Sequence, residues 1–255
     1  MARVFVTGST DGIGRETARQ LLGAGHEVVA HARSDARAEQ VRAVLPDLHD
    51  VVVGDFSSLA QTREVAAAAT ATGPFDAVIH NAGVGGGARE RVETVDGLER
   101  IFQINTVAPY LLTALMPRPG RMVYVTSGLQ AQGHADPDDD LVWPWDGMQT
   151  YSDAKLYGVL IVFAVARLWP DVLSNAVDPG WVKTKLGGPN ATDELEQGAD
   201  TQVWLATSTD PAAQVTGRFL KRRAVLDPNP QATDVRIQEA VLQRLAAITG
   251  VELPR

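Results

Sequence analysis

The chain has 255 residues, of which 45% are apolar and 21% charged, a balance that fits a folded protein with one well-filled core and excludes a disordered one. A formal net charge of −8 disfavours non-specific attraction to nucleic acid or anionic lipid, so neither is expected as a partner. The absence of cysteine excludes disulfides, thiolate metal sites and a cysteine nucleophile, and the five histidines lack metal-ligand spacing, so no metal is expected.

The first strand-like run, Val4–Val6, stands almost at the N-terminus and leaves no room for a secretory signal. The longest apolar stretch, Leu156 to Ala166, is far short of the roughly 20 residues that span a bilayer. A cytoplasmic protein off the membrane is expected. Thr7-Gly8-Ser9-Thr10-Asp11-Gly12-Ile13-Gly14 follows the strand and opens a helical pattern, Ile13–Leu22. Glycines at such a strand-to-helix turn let the backbone approach a pyrophosphate, which the free N–H groups of the helix terminus stabilise. The next strand, Val28–His31, runs into Ala32-Arg33-Ser34. An NAD site would place a carboxylate there for the ribose hydroxyls. Instead Arg33 offers a planar fork suited to a phosphate, and with Ser34 it predicts NADP(H) over NAD(H). Asp35 falls one or two residues late for the ribose.

Helix Ala36–Val44, strand Val51–Gly54, helix Leu59–Thr72 and strand Ala77–His80 continue the alternation. Gly97–Leu115 reads as one helix, in which Asn105 stands among Ile101, Phe102, Ile104 and Val107 and needs a partner if buried. Ser127 closes the strand Met122–Thr126, at the carboxyl end where open α/β sheets bind ligands, and can donate to a developing oxyanion. Gly128 to Thr150 is a polar insertion whose acidic run, Asp136 to Asp140, reads as a solvated loop. Tyr151-Ser152-Asp153-Ala154-Lys155 begins the helix that runs through Ser152–Leu168, which places Tyr151 and Lys155 on one face. An ammonium against a phenol lowers the phenol's pKa, and such a tyrosine exchanges a proton with a carbonyl or alcohol oxygen while hydride moves to or from nicotinamide. Strands Leu173–Val177 and Gly217–Leu220 and helices Thr192–Thr207 and Thr233–Ala247 complete the pattern. It predicts an α/β fold of the doubly wound, Rossmann type: a mostly parallel sheet of about seven strands with helices on both faces. The reading is one domain over 1–255, with a substrate-loop insertion at 128–150 and a lid-like segment at about 185–208.

These motifs, in this order, resemble the short-chain dehydrogenase/reductase family along nearly the whole chain. The long separation of Ser127 and Tyr151 and the run Phe102-Gln103-Ile104-Asn105 resemble its retinol-dehydrogenase-like branch, which favours NADP. The resemblance implies a catalytic tetrad of Asn105, Ser127, Tyr151 and Lys155. Tyr151 would be the acid/base, Lys155 would lower its pKa and bind the nicotinamide ribose, Ser127 would orient the substrate oxygen, and Asn105 would hold a water in a proton relay. It also implies cofactor contacts from the cradle (Gly8, Ser9, Thr10, Gly12, Ile13, Gly14), from Asp55 and Phe56 near the adenine, and from Asn81, Ala82 and Gly83. Pro179, Gly180, Val182 and Thr184 would contact the nicotinamide side. Three departures stand out: His80 where an Asn often precedes the Asn-Ala-Gly triplet, Asp11 at a position that is basic in some NADP users, and a short connection from Leu115 to Arg121. With Asp11 acidic, Arg33 and Ser34 are expected to carry the phosphate largely alone.

Leu129, Trp143, Trp145 and Met148 of the insertion, with Trp181 and Leu186 beyond the Pro-Gly segment, are candidates for an apolar substrate pocket. The helix after Tyr151 is apolar on most faces, and the family commonly pairs subunits through it, so a homodimer or homotetramer is expected. The function read from these residues is NADP(H)-dependent interconversion of a small-molecule carbonyl and an alcohol. The alternative is an NADP(H)-binding sensor or regulatory protein on the same fold, which needs the cradle but not the tetrad. Sugar-nucleotide epimerases and dehydratases also use Tyr and Lys, but usually with a Gly-x-x-Gly-x-x-Gly cradle and a larger C-terminal lobe that this chain lacks.

Overall fold

The computed structural model describes residues 1–85, 87, 90–136 and 145–255. The β-branched runs form β1 (Arg3–Val6), β2 (Glu27–Ala32), β3 (Asp50–Val53), β4 (Ala77–His80), β5 (Arg121–Val125), β6 (Leu173–Val177) and β7 (Arg218–Lys221). These are parallel and lie in the order β3-β2-β1-β4-β5-β6-β7. Val4, Phe5 and Val6 are all wholly buried, which is why such strands lack polar alternation: both faces are covered.

One face packs on α1 (Gly12–Gly23), α2 (Asp35–Val44) and α7 (Leu195–Thr207), through Leu21, Val41 and Trp204. The other packs on α3 (Leu59–Thr72), α5 (Ala108–Leu115) and α6 (Gly147–Leu168), with α8 (Val235–Thr249) lying outside α6. The winding reverses between β1 and β4, and at such a switch point the carboxyl ends of the strands open a crevice.

The structure departs from the sequence reading in five places. An eighth strand, β8 (Ala224–Leu226), pairs antiparallel with β7. It was hidden because all three residues are exposed and its turn uses left-handed Arg222 and Arg223 rather than the usual Asn-Gly signal. The helix expected over Gly97–Leu115 is broken: Gly97 lies in a left-handed turn, and Glu99 caps α4 (Arg100–Phe102) by accepting from Phe102 N. A π-turn (Gln103–Val107) then leads into α5.

Helix α6 starts at Gly147, where the Asp146 carboxylate accepts from Met148 N and Gln149 N, so Tyr151 lies in its second turn. The second half of the lid-like segment is α7, with Trp204, Leu205 and Ala206 buried on the sheet, so that half belongs to a helical layer. The apolar breadth of α6 has an explanation within the chain: Val241, Leu242 and Leu245 of α8 cover it. Asn229, just before α8, ties down the same region by donating Nδ2 to Gly133 O (2.9 Å) and N to Gln130 Oε1 (2.9 Å). Among the described residues no helix is long and apolar enough to cross a membrane.

Candidate active site

At the switch point the ends of β1 and β4 are stitched together. Thr7 Oγ1 accepts from Asn81 N (2.9 Å) and Ala82 N (3.0 Å), and Asn81 Nδ2 donates to Thr7 O (2.9 Å). Helix α1 can approach this seam only through Gly14, where a Cβ would stand 2.3 Å from both Gly8 O and Asn81 Nδ2. Gly8 N donates to His31 Nδ1 (3.0 Å), while His31 Nε2 bonds Gly54 O (2.8 Å). A carbonyl only accepts, so His31 is the neutral Nε2–H tautomer. Burial pulls its pKa down to about 4 and keeps it neutral near pH 7.

The sequence reading passed over His31, whose only signal was its place at a strand end. Phe56 stacks on its ring and is buried, so only the main chain of Phe56 can face a ligand. Ser9 is similar, because its hydroxyl donates to Val6 O and accepts from His31 N. Asp11 caps α1 by accepting from Gly12 N (2.9 Å), and the other first-turn amides have no helical carbonyl before them. That is an anion site in its chemistry.

Arg33 is exposed beyond β2, and Ser34 heads α2 with no capping bond from its hydroxyl. Two other cations stand at the cradle. Arg37 of α2 donates from Nη2 to Thr10 Oγ1 (3.1 Å) and lies 3.5 Å from Asp11 Oδ2. Lys185 Nζ donates to that same oxygen at 2.7 Å. Its hydrogen bond is the largest of the effects that hold the Asp11 carboxyl down at about 2. The acid that weighed against NADP is thus flanked by two cations. Neither Arg37, in the first turn of α2, nor Lys185 carried a sequence signal of its place beside Asp11. Asp55 Oδ1 accepts from Ser57 N and Oγ, both at 2.9 Å.

The four tetrad candidates converge where β5 ends. Tyr151 and Lys155 are both buried, on one face of α6. Lys155 Nζ donates to Val125 O (3.0 Å) and lies 5.4 Å from the centre of the Tyr151 ring. Ser127 accepts from Leu129 N (3.2 Å) at the head of a 3₁₀ turn (Gly128–Gln132) and shares a hydrogen bond with Tyr151. The partner that Asn105 needed is the main chain of Val84: Nδ2 donates to Val84 O and Oδ1 accepts from Val84 N, both at 2.9 Å. Gly83 separates Asn105 from Lys155, since a Cβ there would stand 3.2 Å from Asn105 Oδ1 and 3.5 Å from Lys155 Nζ.

Burial pushes the Tyr151 phenol up to about 12; the Ser127 hydrogen bond opposes this and the charge of Asp178 adds to it. Burial also pulls Lys155 down to about 8. Lys155 is itself desolvated and directs a hydrogen bond at Val125 O, and burial is the largest effect at the phenol. At neutral pH the pair is a protonated phenol beside an ammonium.

After β6, Asp178 accepts from Gly180 N (2.9 Å) and pairs with Lys221 (2.9 Å). Gly180 is left-handed, and a Cβ there would strike Asp193 Oδ2. Pro179 and Gly180 lead into Val182, which is buried, and Thr184, whose methyl lies 3.2 Å from where a Cβ on Gly12 would stand. The segment therefore closes against the cradle. Leu129 and Trp145 pack with Ile101 and Val84 around Tyr151. Met148, Trp181 and Leu186 are 50%, 51% and 55% exposed, and Leu186 lies against Gly85. Trp143 lies outside the described residues, as does most of the acidic run. Among the described residues no cluster of three His, Asp or Glu is placed to hold a metal.

Fold and site together define an open, doubly wound α/β protein with a glycine cradle at its switch point and a buried Tyr/Lys pair beside it. The family model described as short chain dehydrogenase matches residues 2–195. The chain belongs to the short-chain dehydrogenase/reductase family, and is an oxidoreductase acting on CH–OH groups or carbonyls. It is 38% identical to the short-chain dehydrogenase chyC of Penicillium rubens, over 100% of both chains. Its fold is similar to the crystal structure of an uncharacterized protein from Mycobacterium paratuberculosis, with a TM-score of 0.86, 24% identity, and coverage of 100% of this chain and 96% of that one. It is also similar to an NADPH-bound carbonyl reductase from chicken fatty liver, with a TM-score of 0.68, 20% identity, and coverage of 89% and 98%.

Proposed function

We propose that this protein uses NADP(H) to interconvert an apolar carbonyl compound and its alcohol, with Tyr151 as the acid/base. The observation that carries the reading is the convergence of Tyr151, Lys155, Ser127 and Asn105 at the end of β5, next to the cradle. The residues present suit the cofactor. The first-turn amides of α1 with Gly12, Ile13 and Gly14 would hold the pyrophosphate, and Arg33, Ser34 and Arg37 the 2′-phosphate. Asp55 and the main chain of Phe56 would face the adenine, Asn81 to Gly83 the ribose side, and Pro179 to Thr184 the nicotinamide side. When bound, the nicotinamide gives or takes the hydride.

The chain's own groups handle the proton and the orientation. A phenol with its pKa raised to about 12 is fully protonated at neutral pH, the state that donates to a carbonyl oxygen. Ser127 would donate to the same oxygen and fix it near the phenol. The exposed apolar groups of Met148, Trp181 and Leu186 favour a hydrophobic substrate.

The deciding assay is NADPH consumption over a panel of ketones and aldehydes, comparing wild type with Tyr151→Phe. The variant should lose roughly 10²- to 10⁴-fold in kcat and still bind NADPH. Undiminished turnover in the variant would remove Tyr151 from the chemistry, and tight NADPH binding by the wild type with no turnover of any substrate would favour a sensor. A cytoplasmic homodimer or homotetramer is part of the same proposal. Because α8 covers α6, any pairing would use a surface other than the apolar breadth of that helix. Sedimentation at micromolar concentration tests it, and a strictly monomeric profile removes it.

A further inference from the structure

The turn between β7 and β8 is built from residues that resist its shape. Arg222 (φ 49°) and Arg223 (φ 62°) are both left-handed, a conformation that glycine adopts freely and arginine only at a cost. Strain of this kind persists where the surrounding contacts over-determine the backbone. Here three consecutive side chains each meet a different carboxylate. Lys221 Nζ lies 2.9 Å from Asp178 Oδ2, Arg222 Nη2 donates to Asp193 Oδ1 (3.0 Å), and Arg223 Nε donates to Asp200 Oδ2 of α7 (2.7 Å).

The first two carboxylates have a second task. Asp178 Oδ1 accepts from Gly180 N (2.9 Å), and Asp193 Oδ2 accepts from Trp181 N (3.0 Å). Successive amides of the Pro-Gly segment are thus each held by a carboxylate, and each carboxylate by a successive cation of the turn. The side chains of Asp178 and Asp193 are only 7% and 14% exposed, while that of Arg222 is 64% exposed, so the turn brings its charge to the acids from outside. The fit is close. A Cβ on Gly180 would stand 2.1 Å from Asp193 Oδ2, and one on Gly128, next to Ser127, would stand 3.0 Å from Asp178 Oδ2. Main-chain bonds tie the same stretch, with Asp193 N donating to Trp181 O and Lys183 N to Asp193 O, both at 2.9 Å. An exposed ion pair adds little stability. A cation on a carboxylate whose other oxygen grips a main-chain amide sets where that amide stands.

We propose that Lys221 and Arg222 are positioning residues for the active site: through Asp178 and Asp193 they fix the backbone of Gly180 and Trp181, and with it the segment that faces the nicotinamide. Arg223, which reaches α7 instead, has no part in this. The inference rests on the reading of Pro179 to Thr184 as the nicotinamide side.

Titration of NADPH and of 2′-phospho-ADP-ribose, which lacks the nicotinamide ring, measures the effect without a substrate. Wild type should bind NADPH the tighter of the two. Arg222→Gly keeps the left-handed backbone and relieves its strain, so its Tm should not fall. Its affinity for NADPH should drop about tenfold while that for 2′-phospho-ADP-ribose stays unchanged. Its kcat in carbonyl reduction should fall roughly 10- to 100-fold, since a small misplacement of a reacting group costs that much. Arg222→Lys, which keeps the charge, should recover most of both losses. Arg223→Gly, at the neighbouring left-handed position, should change neither quantity. Equal losses for the two ligands, or an Arg223 variant as impaired as the Arg222 one, would make the turn a structural part only and overturn the proposal. An Arg222→Gly protein that binds NADPH as wild type does would also overturn it. A wild type that binds both ligands equally would instead remove the nicotinamide-side reading of Pro179 to Thr184, and the proposal with it.

Discussion

Replacing Lys155 with methionine should make the protein more stable at neutral pH while abolishing its activity. Methionine keeps most of the stem's volume and removes the charge. Burial lowers Lys155 from 10.5 to about 8, which at 1.36 kcal/mol per pKa unit corresponds to about 3 kcal/mol of strain on the folded state. Losing the hydrogen bond to Val125 O costs about 1 kcal/mol in return. The net gain at about pH 7 is therefore about 2 kcal/mol, or a rise of roughly 4–8 °C in Tm for a protein of this size.

The pH dependence follows from the direction of the shift. Below about pH 8 both folded and unfolded states carry the proton, and wild type bears the whole penalty. Between about 8 and 10.5 only the unfolded chain remains protonated, so wild-type stability rises with pH through that window. Above it both states are neutral and the advantage of the variant is gone. Urea denaturation of both proteins at about pH 7 and again near pH 10.5 measures the difference, and titrations common to the two cancel. A variant that is less stable at neutral pH, or a difference that does not change with pH, would refute the claim that burial governs this lysine. Active sites commonly trade stability for function in this way.

Arg37→Ala should weaken NADPH binding about 10- to 100-fold, the equivalent of about 1.5–3 kcal/mol for a charged hydrogen bond, and leave NADH nearly unchanged. Titration of cofactor fluorescence reads both; equal losses for the two cofactors would mean that Arg37 does not meet the 2′-phosphate. Gly14→Ala should lower Tm, because its Cβ would fall 2.3 Å from Gly8 O and cost about 1–3 kcal/mol or more in overpacking. A wild-type melting curve for that variant would mean that the seam between α1 and Asn81 is looser than it stands here.

The alternation of strands and helices, the cradle and the spacing of Tyr151 and Lys155 were legible in the chain because each is a local pattern. A parallel strand buried on both faces is a short apolar run, a strand-to-helix turn needs glycines, and residues four apart on a helix share a side. What lay beyond local pattern was missed. The β8 strand makes contact only along one edge and leaves its side chains in water, so no hydrophobic period marks it. The partner of the buried Asn105 is the main chain of Val84, 21 positions away in the chain.

The site divides in the same way. The residue types Tyr151, Lys155, Ser127 and Asn105, and their order, are properties of the sequence. Their protonation is a property of the tertiary structure: burial raises the phenol, lowers the ammonium and holds His31 neutral beneath the cradle. The same is true of Asp11, an unfavourable acid when read alone, whose charge is met by Lys185 from 174 positions away and by Arg37 from the next helix. Local sequence determines which groups can do chemistry. Only the fold sets how far each is from water and which charge stands beside it, and those two quantities decide what state each group is in.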